Sequence, residues 1–445
     1  MKWLRNALGR LDAVAQAHST APVPESQSVP GYRVALICVG IAFTLTGLYV
    51  GSDLALTLGL GSAIRATLIG SLVLCVMSVP AAVVGARTRF STYMIVNNVF
   101  GVTGARFVNF VLALVLLGWY SVTAELFGRT CYLTAADYVS SAPPQWVFTV
   151  ACSALVTATT VFGFRAIDRL SLLVAPLLVV LTSYVAYRAL EHVHWAALMA
   201  IPGTQVDLST GISAVIGGMI VNVVLMPDVT RYSRSTFDCA LISVTGNGIG
   251  AGGALILAML PALAFHEEDP MRYMATLGLL GIAFATLVLS TWTINAINLY
   301  STGLVTSTAF RKTPYGRIVI SCGVLGTIVA VIGVADRLIG FLVLLGLVVP
   351  PIAGVYLTDF FVLGRRDYAA DHHRRQSDVT NLNGILACAS GGALGVLTYY
   401  LHVSVTGVPT IESFVSAGAL YAAAEKLRAK SGRDRRWRRL GAATL

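Results

Sequence analysis

Residues 290–301 read "STWTINAINLYS" and follow the almost wholly apolar run "TLGLLGIAFATLVL". Hydroxyls at Ser290, Thr291 and Thr293 and amides at Asn295 and Asn298 fall within nine residues. An unpaired amide or hydroxyl in hydrocarbon is costly, so polar groups at this density either fasten helices together or face a polar ligand. Similar interruptions occur in other apolar runs. "GIAFTLTGLYVGSD" carries Gly40, Phe43, Thr44 and Thr46, "LLGWYSVTAE" carries Trp119 and Glu125, and "GGMIVNVVLMPD" carries Met219, Asn222 and Asp228. Gly-rich polar gaps of this kind are where a membrane helix breaks, freeing backbone groups and half-helix dipoles for a substrate or an ion.

The elements that must position these residues are membrane helices. Of the 445 residues 56% are hydrophobic and 12% charged, with a mean hydropathy of +0.76; such a chain is too apolar for a soluble fold. Segments long enough to cross about 30 Å of hydrocarbon recur twelve times, at about 33–57, 64–85, 105–130, 145–163, 169–190, 210–227, 237–265, 274–304, 315–334, 338–362, 383–401 and 408–425. With the N-terminus cytoplasmic, 26 of the 31 basic residues fall on one side, as the positive-inside rule requires. Both termini are therefore expected in the cytoplasm of a multi-pass protein of the cytoplasmic membrane. Residues 1–32 read as a cytoplasmic tail without a signal peptide, 33–362 as a ten-helix core, 363–425 as a loop and two further helices, and 426–445 as a basic tail. That tail, "KLRAKSGRDRRWRRL", reads as an anchor on anionic membrane lipid rather than a nucleic-acid site, and no obligatory protein partner is evident.

Other chemistries find no support. The seven cysteines show no metal-ligand or redox spacing, the seven histidines fall in loops or at helix ends, and no Gly-rich run leads to Gly-Lys-Ser/Thr. No cofactor, metal site or enzyme activity is expected. A repeat is legible instead: Gly40 and Gly217 lie 177 residues apart, and Trp119 and Trp292 lie 173 apart. Similar offsets imply a five-plus-five repeat, about 33–190 and 210–362. Trp119 lies thirteen residues from Arg106, about 20 Å along a helix, too deep for an interfacial belt. For Glu125 two readings stand: an intramembrane functional carboxylate, or an i,i+4 ion pair with Arg129.

"GWYSVTAELF", "VIGGMIVNVVLMPDVTRYSRS", "STWTINAINLYS" and "GFLVLLGLVVPPIAGVYLTDFFVLGRR" together resemble the nucleobase-cation symporter-1 family, the cytosine and purine permeases among them. The resemblance implies an all-α polytopic membrane protein: twelve helices with a leucine-transporter-like inverted repeat, of which the last two are peripheral. It implies a secondary transporter of a nucleobase such as cytosine or a purine. The alternative is a transporter of the same fold for a hydantoin, allantoin, a thiamine-precursor pyrimidine or an amino acid. Trp119 matches the family's stacking tryptophan, and Thr44, Met219, Asn222, Ser290 and Asn295 are the expected substrate residues. Leu116 replaces a glutamine of the cytosine permeases, Met219 a phenylalanine and Val221 a serine, so the pocket is less polar than theirs. The coupling cation of sodium-driven members is held by carbonyls of the first-span break, here around Gly40 and Phe43, and by two consecutive hydroxyls of the eighth span. Thr293 supplies the first, but Ile294 stands at the second. A proton is therefore expected in preference to sodium, with Glu125 or Asp228 as its carrier, or no coupling at all.

A reporter fused after Leu445 is expected to read as cytoplasmic. A periplasmic signal there would break the twelve-helix count.

Overall fold

Each of the twelve apolar segments folds as one helix or as a pair of helices, because only helical backbone satisfies its own polar groups in hydrocarbon. The computed structural model describes residues 22–139, 141–162, 165–203, 207–310, 313–365 and 380–430. Most of the expected N-terminal tail, most of the basic C-terminal tail and the loop 366–379 lie outside the described residues. In chain order the spans are Gly31–Ala42 with Leu45–Leu58, Leu60–Thr88, the greater part of Thr92–Tyr138, Gln145–Phe162, Arg165–His192, and Leu208–Val224 with Met226–Thr230. The seventh runs from Thr236 to Phe265 through a wide turn at Val244–Gly250; then come Leu280–Ala309, Tyr315–Val331, Leu338–Val348 with Pro350–Leu357, Leu382–Tyr400 and Pro409–Lys430. An even count puts the start of span 1 and the end of span 12 on one side, here the terminal side; the opposite side is the far side.

The third span begins earlier than its apolar stretch implied. A short helix from Thr92 to Phe100 precedes it, and the chain turns at Gly101, whose φ of 73° a residue with a Cβ rarely adopts. Short helices at Trp195–Ala200 and Pro270–Thr276 lie in far-side connections. They were also invisible to a search for twenty-residue runs.

The packing carries the repeat. Span 1 packs on span 7 as span 6 packs on span 2, and spans 3 and 8 pack on each other. Exchanging the two halves therefore leaves the pattern unchanged, and because each half has five spans, an odd number, the halves insert with opposite orientation. Spans 1, 2, 6 and 7 form one set and spans 3, 4, 8 and 9 another, with few direct contacts between them, while span 5 leans on members of both. Close approach within a set rests on small residues. A Cβ on Gly51 of span 1 would lie 2.5 Å from the carbonyl oxygen of Leu255 in span 7, and a Cβ on Gly70 of span 2 would lie 2.7 Å from the Val215 side chain in span 6.

Spans 11 and 12, the peripheral pair, are tied to the core on the terminal side by a buried polar cluster. Arg365, just past span 10, donates to Asp359 at 2.8 Å and to Glu425 of span 12 at 2.7 Å. The Tyr421 hydroxyl donates to Asp359 at 2.8 Å, and Asn381 Nδ2 donates to the carbonyl of Val99, in the short helix before span 3, at 2.8 Å. Asp359 and Glu425 are shielded from solvent, so removing Arg365 takes from two buried carboxylates the guanidinium that bridges them. Arg365→Ala is expected to destabilise the protein by about 3–5 kcal/mol, read as a lowered unfolding midpoint in detergent; an unchanged midpoint would show that the cluster holds nothing together.

Candidate functional site

Spans 1 and 6 both break, span 1 at Phe43 and Thr44 and span 6 at Leu225, about one turn beyond the point that the Gly40/Gly217 offset would give. In span 1 the first helix ends at Ala42, Phe43 and Thr44 leave helical geometry, and the second helix starts at Leu45, turned by 62°. Thr44 caps it, its Oγ1 accepting the Gly47 N–H at 3.1 Å, the arrangement that satisfies one of a helix's orphan donors. The last turn of the first helix, with Gly40, keeps carbonyls that have no helical donor. The carbonyls near Gly40 and Phe43, expected to face a cation, thus fall at the break itself. In span 6 the helix stops at Val224, and Pro227 sits near the start of the next helical piece, Met226–Thr230. The Val224 carbonyl is met by the hydroxyls of Thr92 at 3.5 Å and Tyr356 at 3.3 Å.

Trp119 lies halfway along span 3, half-buried, with the Phe341 ring of span 10 set edge-on to it at 5.6 Å and 77°. Gly118 makes this approach possible, since a Cβ there would lie 2.7 Å from the Phe341 ring. The next residue, Leu342, presses its carbonyl on Gly217 of span 6. One point of span 10 thus touches both span 3 at Trp119 and span 6 just before Met219. On span 6 a Cβ at Gly218 would meet nothing within 4 Å, Met219 is half-buried and Asn222 exposed. The Asn222 amide donates to the Met219 sulfur at 3.5 Å. This face of span 6 is open beside the Trp119–Phe341 pair.

Span 8 holds the corrections. Asn295, expected at the substrate, is fully buried against span 3: its amide donates to the Tyr120 carbonyl at 3.1 Å and accepts the Ala124 N–H at 3.3 Å. Trp292 Nε1 donates to Thr159 of span 4 at 3.0 Å. The Thr291 and Thr293 hydroxyls donate back to the carbonyls of Leu287 and Leu289 at 2.6 and 2.8 Å, the usual refuge of a mid-helix threonine. Part of the polar run is therefore helix-to-helix fastening. Thr293 keeps its oxygen lone pairs, and Ser290 is buried. Because spans 3 and 8 run antiparallel, the Asn295 clamp fixes their register. It brings Asn298 level with Trp119 and leaves Ser290 about 12 Å farther toward the far side, at 1.5 Å per residue. Asn298, half-buried, was not among the expected substrate residues; Phe341 was missed too, because nothing in the spacing of span 10 announces its partner in span 3.

The two carboxylates proposed as proton carriers lie away from this level. Asp228 is on the terminal side, where Oδ1 accepts the N–H of Thr92 at 2.9 Å. Glu125 is on the far side, buried, with Oε2 accepting the N–H of Ala335 at 2.7 Å. The i,i+4 pair with Arg129 does not form; Arg129 turns instead to Asp269 at 3.4 Å. Of the cysteines, Cys131 and Cys152 pack with their Sγ atoms 3.7 Å apart. Among the described residues no cluster of three or more His, Cys, Asp or Glu side chains could hold a metal.

Comparison with known proteins agrees with this architecture. A family model described as permease for cytosine/purines, uracil, thiamine, allantoin matches residues 22–418. The cytosine permease of Escherichia coli strain K12 is 26% identical over 379 residues, 85% of this chain and 88% of its own. A nucleobase-cation-symport-1 family transporter, solved closed with bromovinylhydantoin bound, has a TM-score of 0.77 at 19% identity, covering 93% of this chain and 96% of its own. A Na+-coupled sialic acid symporter has a TM-score of 0.60 at 12% identity, covering 95% and 96%. The leucine-transporter-like fold is therefore the fold of this chain, a multi-pass membrane transporter rather than an enzyme. The chain belongs to the family of permeases for cytosine/purines, uracil, thiamine and allantoin.

Proposed function

We propose that the chain imports a nucleobase such as cytosine or a purine, or a related heterocycle, across the cytoplasmic membrane of a bacterium by alternating access, with both termini cytoplasmic. The observation that carries this reading is the convergence of Trp119, Phe341 and the open face of span 6 on one point of span 10. A flat heteroaromatic ring stacks on Trp119, an interaction worth about 0.5–1.5 kcal/mol beyond area burial. Asn222 from span 6 and Asn298 from span 8 read its edge. A buried amide left unpaired by the wrong ring is what makes such contacts selective, by about 10⁴–10⁵ in the best cases. Thr44 and Met219 flank the ring, and Ser290 lies farther along the entry path.

The breaks of spans 1 and 6 supply the hinge points around a fixed site. The cation-binding arrangement, carbonyls near Gly40 and Phe43 facing Thr293, has Ile294 where a second hydroxyl would complete it. Carbon is no ligand for a hard cation, so we assign coupling to a proton or to none. The family's cytosine permeases and the sodium-coupled structural relatives frame this choice.

Trp119→Ala is expected to abolish saturable uptake of a labelled nucleobase by cells while the folded protein stays in the membrane, and Trp119→Phe to keep part of it. Asn298→Ala is expected to raise KM at least tenfold with less effect on the maximal rate; normal KM would remove Asn298 from the site. In proteoliposomes with sodium replaced by choline at fixed pH and potential, the initial rate is expected to hold. A large drop would overturn the assignment of the coupling ion.

A further inference from the structure

The two sets of spans meet sparsely, so the few polar links between them are where a change of state must act. On the far side such a link is in place. Arg129, in the outer third of span 3, pairs with Asp269 in the connection between spans 7 and 8, Nε to Oδ2 at 3.4 Å. Its guanidinium also lies over the ring of Tyr49 in span 1, 5.7 Å from the centroid. Span 3 belongs to one set and spans 1 and 7 to the other, so this single side chain fastens two members of the opposite set at their far-side ends. Asp269 is not free to follow it elsewhere, because Oδ1 accepts the Met271 N–H at 2.8 Å and starts the short helix there. One turn back along span 3, Glu125 binds the N–H of Ala335 in the connection to span 10. The two charges thus hold different neighbours: Glu125 keeps span 10 with span 3, and Arg129 holds spans 1 and 7.

We propose that the Arg129–Asp269–Tyr49 contact is the latch that closes the transporter on its outer side, so that breaking it admits solvent to the site from that side. The chemistry suits a reversible fastening. The Asp269 side chain is fully buried while that of Arg129 is 29% exposed. Burial strengthens the closed pair, because the local dielectric is low. If spans 1 and 7 swing away, water reaches both ions together, so neither is left charged and dry, the condition that makes a broken buried pair costly. A guanidinium suits the contact because it stays charged and lies flat on an aromatic face while binding a carboxylate, and the ion pair is the part that a lysine can keep.

The proposal rests on the transport reading and orientation above, but its test needs neither substrate nor coupling ion. In protein lacking the seven native cysteines, Gly218→Cys places a thiol on the open face of span 6, where a Cβ meets nothing. The rate of its reaction with a membrane-impermeant maleimide is measured in right-side-out vesicles. Asp269→Asn removes the charge but preserves the cap on Met271, and is expected to raise the rate at least fivefold; Arg129→Ala is expected to do the same and Arg129→Lys to return it most of the way. A rate unchanged or lowered in Asp269→Asn protein that elutes as a single peak overturns the latch. An acceleration by Asp269→Asn that appears in inside-out vesicles and not in right-side-out ones would show instead that the orientation is reversed, and uptake measured alongside tests the transport reading by itself.

Discussion

A backbone amide or carbonyl in hydrocarbon has no water to bind, and that constraint governs this molecule. It forces the chain into helices and makes every departure from a helix depend on a neighbour. Span 1 can stop at Ala42 because Thr44 caps the helix that follows. Span 6 can stop at Val224 because the hydroxyls of Thr92 and Tyr356, from the helix before span 3 and from span 10, meet the freed carbonyl. The two breaks are thus joint products of several spans. A site built from broken helices is only as stable as the partners that satisfy them.

The transport site inherits this dependence. Trp119 is presented at mid-height by an unbroken helix, and its surroundings come from elements far apart in sequence: Phe341 in span 10, admitted by the missing side chain of Gly118, and the open face of span 6. Span 3 is clamped to span 8 at Asn295, and the breaks lie in the other set, in spans 1 and 6. In the reading proposed above, a ring held by the first set and read by the second would sense the relative position of the two.

Much of the architecture was legible in the sequence because membrane helices are written in long apolar runs whose length is set by the bilayer. The twelve spans, the breaks near Thr44 and Pro227 and the repeat offset all came from that signal. The short helices Thr92–Phe100, Trp195–Ala200 and Pro270–Thr276 did not, being too short to register. The site was legible in part. Polar residues inside an apolar run announce that they have partners but not which, so Asn295 and Trp292 were indistinguishable from ligand-facing groups until span 3 and span 4 were beside them. Phe341 carried no signal, since an apolar residue in an apolar helix is expected everywhere. Arg129 misled for the opposite reason: its nearest carboxylate in sequence, Glu125, was not its partner in space.

The Asn295 amide occupies a donor and an acceptor of a neighbouring helix at once, and this has a consequence for the lipid around the protein. Spans 3 and 8 cannot slide past one another by a turn without stranding that amide in hydrocarbon. When the protein moves to a thicker or thinner bilayer, the mismatch has to be absorbed by tilting, and the clamped pair must tilt as one piece. The remaining spans take up the difference in their angles to it, so bilayer thickness bears on the relative orientation of the two sets.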